Sequence, residues 1–236
     1  MSRVNESATI KMAQLARDIA DKGHDVISLS LGQPDFDTPD HIKEAAKKAL
    51  DEGYTNYTPV PGHPIFVNAI IEKFKRDNNL DFKKENIVVS CGAKQSIYNL
   101  MNALVNPGDE VIIFTPYWVS YFDIVTMIGG VPVCVKAGIE SDFKVTPEQL
   151  ESAITDKSRA IIFSSPCNPT GSVYSEKELL ALAEVIDKKQ DLVVISDEIY
   201  EYINFGEKHA SIGSFDIIKD QVATVNGMAK GFAMTG

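Results

Sequence analysis

The segments Arg159-Ala-Ile-Ile-Phe-Ser164 and Leu192-Val-Val-Ile-Ser196 decide the fold class of this chain. Each is a short apolar run rich in β-branched residues, which is typical of a strand buried on both faces. Between them, Ser175-Glu-Lys-Glu178 has the pattern of a capping box and predicts a helix that runs to about Lys188. A buried strand, a helix and a second buried strand predict the repeating unit of a parallel sheet.

The same alternation extends toward both ends of the chain. The other predicted strands are 86–90, 110–114, 131–135 and 221–226, and the other predicted helices are 93–105, 117–128 and 147–154. We therefore predict an α/β fold with a mainly parallel sheet and helices on both faces. In such sheets a ligand binds beyond the carboxyl ends of the strands, so candidate functional residues are sought there.

Composition narrows the class of function. The 236 residues include 23 Lys and Arg against 33 Asp and Glu, a net charge of −10, which argues against a nucleic-acid or anionic-membrane partner. The three cysteines form no CxxC pair and the four histidines show no ligand spacing, so no metal site is predicted. We find neither an apolar run long enough to span a membrane nor a signal-like N-terminus, and we expect a cytoplasmic protein.

Several residues with chemical potential follow the predicted strands. Gly92 lies in a turn that opens a helix, where free backbone amides suit a phosphate. Asp197 and Glu198 end another strand and could hold Mg²⁺ in a nucleotidase, but the chain has no GxxxxGK[ST] loop to support that reading. Lys230 is the only charged residue of Val225–Gly236, and apolar surroundings favour its neutral, nucleophilic amine.

Each of these residues alone also fits an ordinary structural role, such as a turn glycine, a capping acid or a surface lysine. Trp118, the only tryptophan, follows another strand and adds a flat aromatic surface, and Tyr200 adds a phenol. A phosphate cradle, a flat ring, an acid, a phenol and an amine at the ends of one sheet are together the requirements of pyridoxal phosphate.

A set of motifs in order along the chain resembles the class I/II aminotransferases of the aspartate aminotransferase superfamily, the fold type I pyridoxal-phosphate enzymes. The matching segments are Leu31-Gly-Gln-Pro-Asp-Phe-Asp-Thr-Pro39, Tyr57-Thr-Pro-Val-Pro-Gly62, Gly92-Ala-Lys-Gln95, Pro116-Tyr-Trp118, Ser165-Pro-Cys-Asn-Pro-Thr-Gly171, Ser196-Asp-Glu-Ile-Tyr200 and Ala229-Lys-Gly-Phe-Ala-Met-Thr-Gly236. The resemblance covers nearly the whole chain. It implies an N-terminal arm and helix in residues 1–30 and a cofactor-binding large domain in residues 31–236.

The resemblance also implies roles for individual residues. Lys230 matches the catalytic lysine, which binds the cofactor through its amine and later transfers a proton. Asp197 matches the acid that faces the pyridine nitrogen, and Asn168 and Tyr200 match the donors to the ring oxygen O3′.

The remaining implied contacts concern the phosphate, the ring face and the substrate. Gly92, Ala93 and Lys94 match the phosphate-binding turn, and Trp118 matches the residue that stacks on the ring. Tyr57 matches a tyrosine that reaches the phosphate of the neighbouring subunit, which implies a homodimer with shared sites. The implied substrate contacts are Gly32, Trp118 and Asn168.

The chain departs from the family pattern at several points. Cys167 replaces a common Asn, Ala229 replaces a common Ser, and Gly62-His-Pro-Ile-Phe-Val67 differs from the usual Gly-x-x-x-Leu-Arg. The family's phosphate-binding arginine falls beyond Gly236, and the arginine that clamps the substrate carboxylate belongs to a C-terminal small domain. We therefore expect a C-terminally truncated chain whose 236 residues alone transaminate poorly or not at all.

The function that the resemblance implies is transfer of an amino group between an amino acid and a 2-oxo acid, through lysine-bound pyridoxal phosphate. An aspartate-type or broad substrate range is expected. Two alternatives stay open: a pyridoxal-phosphate-dependent carbon–sulfur lyase or decarboxylase, since one fold hosts several reactions, and a non-catalytic aminotransferase-like binding module.

Overall fold

The computed structural model describes residues 8–29, 31–206 and 208–236. Its α-helices are α1 (Ala8–Ala20), α2 (Asp40–Asp51), α3 (Pro64–Asn78), α4 (Ala93–Leu104), α5 (Ser120–Ile128), α6 (Pro147–Ala153) and α7 (Glu176–Ile186). Its strands are β1 (Glu110–Thr115), β2 (Val131–Lys136), β3 (Ser158–Ser164), β4 (Val193–Asp197) and β5 (Val222–Val225). Within this described part, no helix has the length and apolar character needed to cross a membrane.

The strands form one sheet in the order β2-β1-β3-β4-β5, and every neighbouring pair is parallel. This confirms the predicted fold class. From β1 the chain moves outward to β2, then returns past β1 to β3 and continues the other way. Because parallel crossovers are right-handed, this reversal sends connecting helices to opposite faces. The reversal lies between β1 and β3, which is where sheets of this type bind ligands.

Apolar side chains cover both faces of the sheet. On one face α4 and α5 pack against β1, β3 and β4, and on the other face α6 and α7 pack against the same strands. Successive residues of a strand point to opposite faces, so Ile161 belongs to one core and Ile162 to the other. A strand with a core on each side must be apolar throughout, which is why the sequence of β3 does not alternate.

Three helix ends form for reasons that are visible in the sequence. The Ser175 hydroxyl accepts a hydrogen bond from the Glu178 amide at 3.3 Å, and the Glu178 carboxylate accepts one from the Ser175 amide at 2.8 Å. Thr146 and Gln149 form the same reciprocal pair at the start of α6. Gly129 ends α5 in the left-handed conformation, with φ of 89°. These local signals confirm the predicted helices.

Two of the predicted elements differ from the structure. The predicted strand at residues 86–90 is wrong: a 3₁₀ turn ends at Asn86 and the residues after it join no sheet. Val89 instead donates its amide to the carbonyl of Pro61 at 2.8 Å. The helix predicted from Tyr117 begins at Ser120. It follows a turn in which the Tyr121 amide donates to the Trp118 carbonyl.

Candidate active site

The predicted site residues meet at the carboxyl edge of the sheet. Because β1, β3, β4 and β5 run in one direction, the loops that follow them leave from the same edge. These loops carry Trp118, Asn168, Tyr200 and Lys230 in that order, and β4 itself ends on Asp197. The topology therefore collects residues that are far apart in sequence.

Asp197 is buried, with 3% of its surface exposed. The Tyr121 hydroxyl donates a hydrogen bond to its Oδ2 at 2.6 Å, and the Ile199 amide donates one to its Oδ1 at 3.2 Å. Burial raises the pKa of Asp197 to about 6, and the neighbouring Glu198 adds to the rise, while the two donors oppose it. At neutral pH the site therefore holds an ionised carboxylate at an energetic cost that a cationic partner would offset.

Asn168 and Tyr200 form a pair beside this acid. The Asn168 side-chain amide donates to the Tyr200 hydroxyl oxygen at 3.3 Å. Burial raises the pKa of Tyr200, so its hydroxyl stays protonated at neutral pH and remains a donor. The pair can thus present two N–H or O–H groups to an oxygen of a ligand.

The Lys230 amine is half-buried and donates a hydrogen bond to the Gly32 carbonyl at 2.5 Å. Its nitrogen lies 5.8 Å from the centre of the Tyr200 ring. Burial lowers the pKa of Lys230, which favours the neutral amine. The segment that carries Gly32 is also attached to the lysine loop by the Thr38 hydroxyl, which donates to the Ala233 carbonyl at 2.6 Å.

The turn before α4 has the features of an anion site. Gly92 has φ of 84°, and no described side chain caps the helix that follows it. The first intrahelical hydrogen bonds come from Gln95 onward, which leaves the amides of Ala93 and Lys94 at the positive end of the helix. A Cβ built on Gly92 would meet nothing within 4 Å, so open space lies in front of these amides. Such a helix N-terminus suits a phosphate.

Two further predicted site residues, Trp118 and Tyr57, differ in how far they are buried. Trp118 is half-buried and packs edge-on against Tyr121, with ring centres 5.6 Å apart. The Lys94 amine lies 4.9 Å from the centre of the Trp118 ring, which links the aromatic residue to the anion turn. Tyr57, in contrast, is fully exposed in the single chain, at 107% of its reference surface.

The model of the family described as aminotransferase class I and II matches residues 24–236. This chain belongs to that family. It is 47% identical to the aspartate/prephenate aminotransferase of Cereibacter sphaeroides and 46% identical to the aspartate aminotransferase of Bacillus subtilis. Both matches cover 100% of this chain and 60% of the relative, so the chain spans about 60% of the length of these aminotransferases.

Solved aminotransferases share the fold. The aspartate aminotransferase of Thermus thermophilus, solved with maleate, superposes with a TM-score of 0.95 at 43% identity and covers 99% of this chain. The aromatic aminotransferase of Pyrococcus horikoshii superposes with a TM-score of 0.87 at 43% identity and covers 97%. This chain covers 60% of each of those chains.

The residues of this aminotransferase chain fit pyridoxal phosphate. The open turn at Gly92 would hold the phosphate, the carboxylate of Asp197 would pair with the ring nitrogen, and the amine of Lys230, whose pKa is lowered by burial, would meet the aldehyde. Two buried polar atoms at strand ends, Thr115 Oγ1 and Asn226 Nδ2, have no hydrogen-bond partner among the described residues. Unsatisfied buried groups at this edge fit a site completed by a polar ligand.

Sequence reasoning missed Tyr121. The residue lies on the apolar face of α5, where it reads as an ordinary core aromatic, yet its hydroxyl is buried and bound to Asp197. A fully buried phenol needs an acceptor, and carboxylates at the strand ends are suitable acceptors. That requirement is the signal that could have identified it.

Proposed function

We propose that this chain is the cofactor-binding part of an aminotransferase that moves an amino group between an amino acid and a 2-oxo acid. One observation carries the proposal: a half-buried amine with a lowered pKa, Lys230, shares a sheet edge with a buried acid, Asp197. Pyridoxal phosphate, when bound, supplies an aldehyde and an electron-accepting ring.

The residues of the chain would divide the work as follows. Lys230 would hold the cofactor through its amine and would carry a proton to and from the substrate, and its lowered pKa favours the unprotonated form that both roles require. Asp197 keeps the proton on the ring nitrogen because a buried carboxylate favours a cationic partner. Tyr200 and Asn168 donate to the ring oxygen, since their polar groups already face each other at 3.3 Å.

The other residues position the ligand. The amides of Ala93 and Lys94 after Gly92 hold the phosphate, and Trp118 covers one face of the ring. Gly32 would donate its backbone N–H to the substrate carboxylate, and the bond of its carbonyl to the Lys230 amine keeps the residue beside the lysine.

The substrate class and the assembly are inferred from the similar proteins and from the exposure of Tyr57. The names of the Cereibacter and Bacillus relatives favour an aspartate-type substrate, and the likeness to the aromatic aminotransferase, at 43% identity, favours a broad range. The complete exposure of Tyr57 is compatible with a residue that completes the phosphate site of a second copy, so we infer a homodimer with shared sites. We infer a cytoplasmic location, and the boundary between residues 1–30 and 31–236 stays a prediction.

The test is covalent trapping. The protein is incubated with pyridoxal phosphate, reduced with borohydride and digested, and the masses of its peptides are measured by mass spectrometry. We expect the added mass on the peptide that contains Lys230, loss of that mass in Lys230→Ala, and retention in the control Lys188→Ala, which changes an exposed lysine after α7. Equal labelling of Lys230→Ala would overturn the assignment. Incubation of the protein with amino acids, with and without a 2-oxo acid, then separates transfer from lyase chemistry, because a lyase needs no acceptor.

A further inference from the structure

Behind the carboxyl edge, a buried polar cluster joins the end of α3 to the turn that follows β4. We propose that Asn78 is a positioning residue, which holds the turn bearing Asp197 and Tyr200 in place. It does so through two buried carboxylates of that turn, Glu198 and Glu201. The inference rests on the proposed function and assigns a role to α3, which contributes no residue to the site itself.

Glu198 has every acceptor position occupied. Its Oε1 accepts from the hydroxyls of Ser196 at 3.0 Å and Ser211 at 2.6 Å, and its Oε2 is 3.0 Å from His209 Nε2 and 3.2 Å from the amide nitrogen of Asn78. The residue is 1% exposed. A buried carboxylate with this many donors is held in one orientation, since any rotation would break several hydrogen bonds at once.

Asn78 links this carboxylate to a second one. Its side-chain amide also donates to Glu201 Oε2 at 2.7 Å, and its carbonyl oxygen accepts from the Lys73 amine at 2.6 Å. Lys73 completes the cluster with an ion pair to Glu201. Asn78 is 5% exposed, so loss of its amide would remove the donor described for buried Glu201 Oε2 and one of the two neighbours of Glu198 Oε2.

A metal ion is the competing interpretation of this cluster. Glu198, Glu201 and His209 each present a ligand atom, and these atoms lie within 4.8 Å of one another. The carboxylates, however, are already bonded to an ammonium group, an amide and two hydroxyls. Because hydrogen-bond donors of the protein already occupy both carboxylates, the cluster is better explained as a structural bridge than as a cation site.

The bridge acts on the acid through the backbone. Asp197 and Glu198 are consecutive, so one side chain faces the site while the other faces α3. The Glu198 amide is bonded to the Val225 carbonyl at 2.8 Å and the Glu201 amide to the Glu198 carbonyl at 3.0 Å, and the side-chain bridge attaches this turn to α3. A displacement of the turn would move Asp197 and Tyr200 together.

The same end of α3 also reaches the lysine loop. The Asp77 carboxylate accepts a hydrogen bond from the Tyr202 hydroxyl at 2.6 Å, and the Tyr202 ring packs edge-on against Phe232 with centres 5.5 Å apart. A Cβ on Gly231 would lie 2.9 Å from the Tyr202 ring, so this contact requires glycine beside Lys230. The last turn of α3 thus supports both the acid and the amine.

The test compares Asn78→Ala with Gln221→Ala. Gln221 is a matched control because its buried amide donates to two carbonyls, those of Lys189 and Leu192, both at 2.9 Å and near the amino end of β4. The first readout is the affinity for pyridoxamine 5′-phosphate. It is measured through the fluorescence of Trp118, the only tryptophan. We expect Asn78→Ala to weaken binding roughly tenfold or more and Gln221→Ala to change it by less than about twofold.

The second readout needs no ligand. It is the pKa of the Asp197 carboxyl, measured by carbon-13 NMR of the ligand-free protein. We expect it to fall from about 6 toward 3.8 in Asn78→Ala, because a loosened turn admits water, and to stay unchanged in Gln221→Ala. If Asn78→Ala does not fold, Asn78→Ser, which keeps one donor, takes its place with the same readouts.

Two substitutions of Glu198 separate the effect of its hydrogen bonds from the effect of its charge. In Glu198→Gln the new amide can donate to the hydroxyls of Ser196 and Ser211, which rotate to accept, so we expect ligand affinity close to the unaltered protein. Glu198→Ala removes the bridge and should weaken binding as Asn78→Ala does. Unaltered protein that fails to bind the ligand would refute the proposed function alone. The bridge would be refuted if Asn78→Ala and Glu198→Ala both bound the ligand as tightly as the unaltered protein and left the pKa of Asp197 unchanged.

Discussion

Replacement of Asp197 by asparagine should stabilise the ligand-free protein. The pKa of Asp197 is raised from 3.8 to about 6 in the folded state, so the fold binds this proton more tightly than the unfolded chain does. Below pH 3.8 both states are protonated and the carboxyl costs nothing. As the pH rises through this interval stability is lost, and above about pH 6 the full penalty applies.

The size of the penalty follows from the two pKa values. Their difference, multiplied by about 1.36 kcal/mol for each pH unit, gives about 3 kcal/mol at neutral pH. Asparagine keeps the shape of the side chain without the charge. Its oxygen can accept from the Ile199 amide, and its amino group can donate to the Tyr121 hydroxyl, which is free to rotate. Asp197→Asn should therefore recover most of this free energy.

The assay is urea unfolding of the ligand-free proteins at about pH 4 and about pH 8. We expect the free energy of unfolding of Asp197→Asn to exceed that of the unaltered protein by about 3 kcal/mol at the higher pH and by much less at the lower pH. Asp191→Asn is the control, because ion-pair contacts with Lys189 lower the pKa of exposed Asp191 and predict the opposite sign. A gain that is absent at high pH, or equal at both pH values, would show that burial of Asp197 is not costly.

Three further changes test other parts of the site and fold. Tyr121→Phe removes a donor to the carboxylate and should raise the pKa of Asp197 above about 6, which carbon-13 NMR measures directly. Gly92→Ala should cost roughly 1 kcal/mol in urea unfolding because φ is 84°, and it should also weaken pyridoxamine phosphate binding, since its Cβ enters the open space before α4. Ser175→Ala should cost about 1 kcal/mol through loss of the α7 cap while ligand affinity stays the same.

The parallel sheet could be predicted because its signals are local. β1, β3 and β4 each contain an uninterrupted apolar run, and the capping residues Thr146 and Ser175 mark the helices between them. The segment 86–90 has an equally strand-like composition, but whether it pairs depends on a partner elsewhere in the chain. Its amide at Val89 bonds to Pro61 instead, and no local pattern reveals that choice.

The site could be predicted only in part, for the same reason. Residues at strand ends converge in any parallel sheet, so Asp197 and Lys230 were accessible to sequence reasoning. The partners that set their chemistry were not accessible in this way. Tyr121 binds Asp197 across 76 residues and Asn78 binds Glu198 across 120, and both look like ordinary helix residues in the sequence. Such contacts depend on how helices pack, which composition does not specify.

The two central groups show why a single ligand fits this edge. Burial raises the pKa of Asp197 and lowers that of Lys230, so in the ligand-free protein it favours the neutral form of both. Tyr121 and Ile199 bind the acid and the Gly32 carbonyl binds the amine, so each group has its own partners. A ligand with a cationic ring nitrogen and an aldehyde would pair with the acid through one group and react with the amine through the other. Because one ligand engages both, removal of either group should reduce the binding contribution of the other.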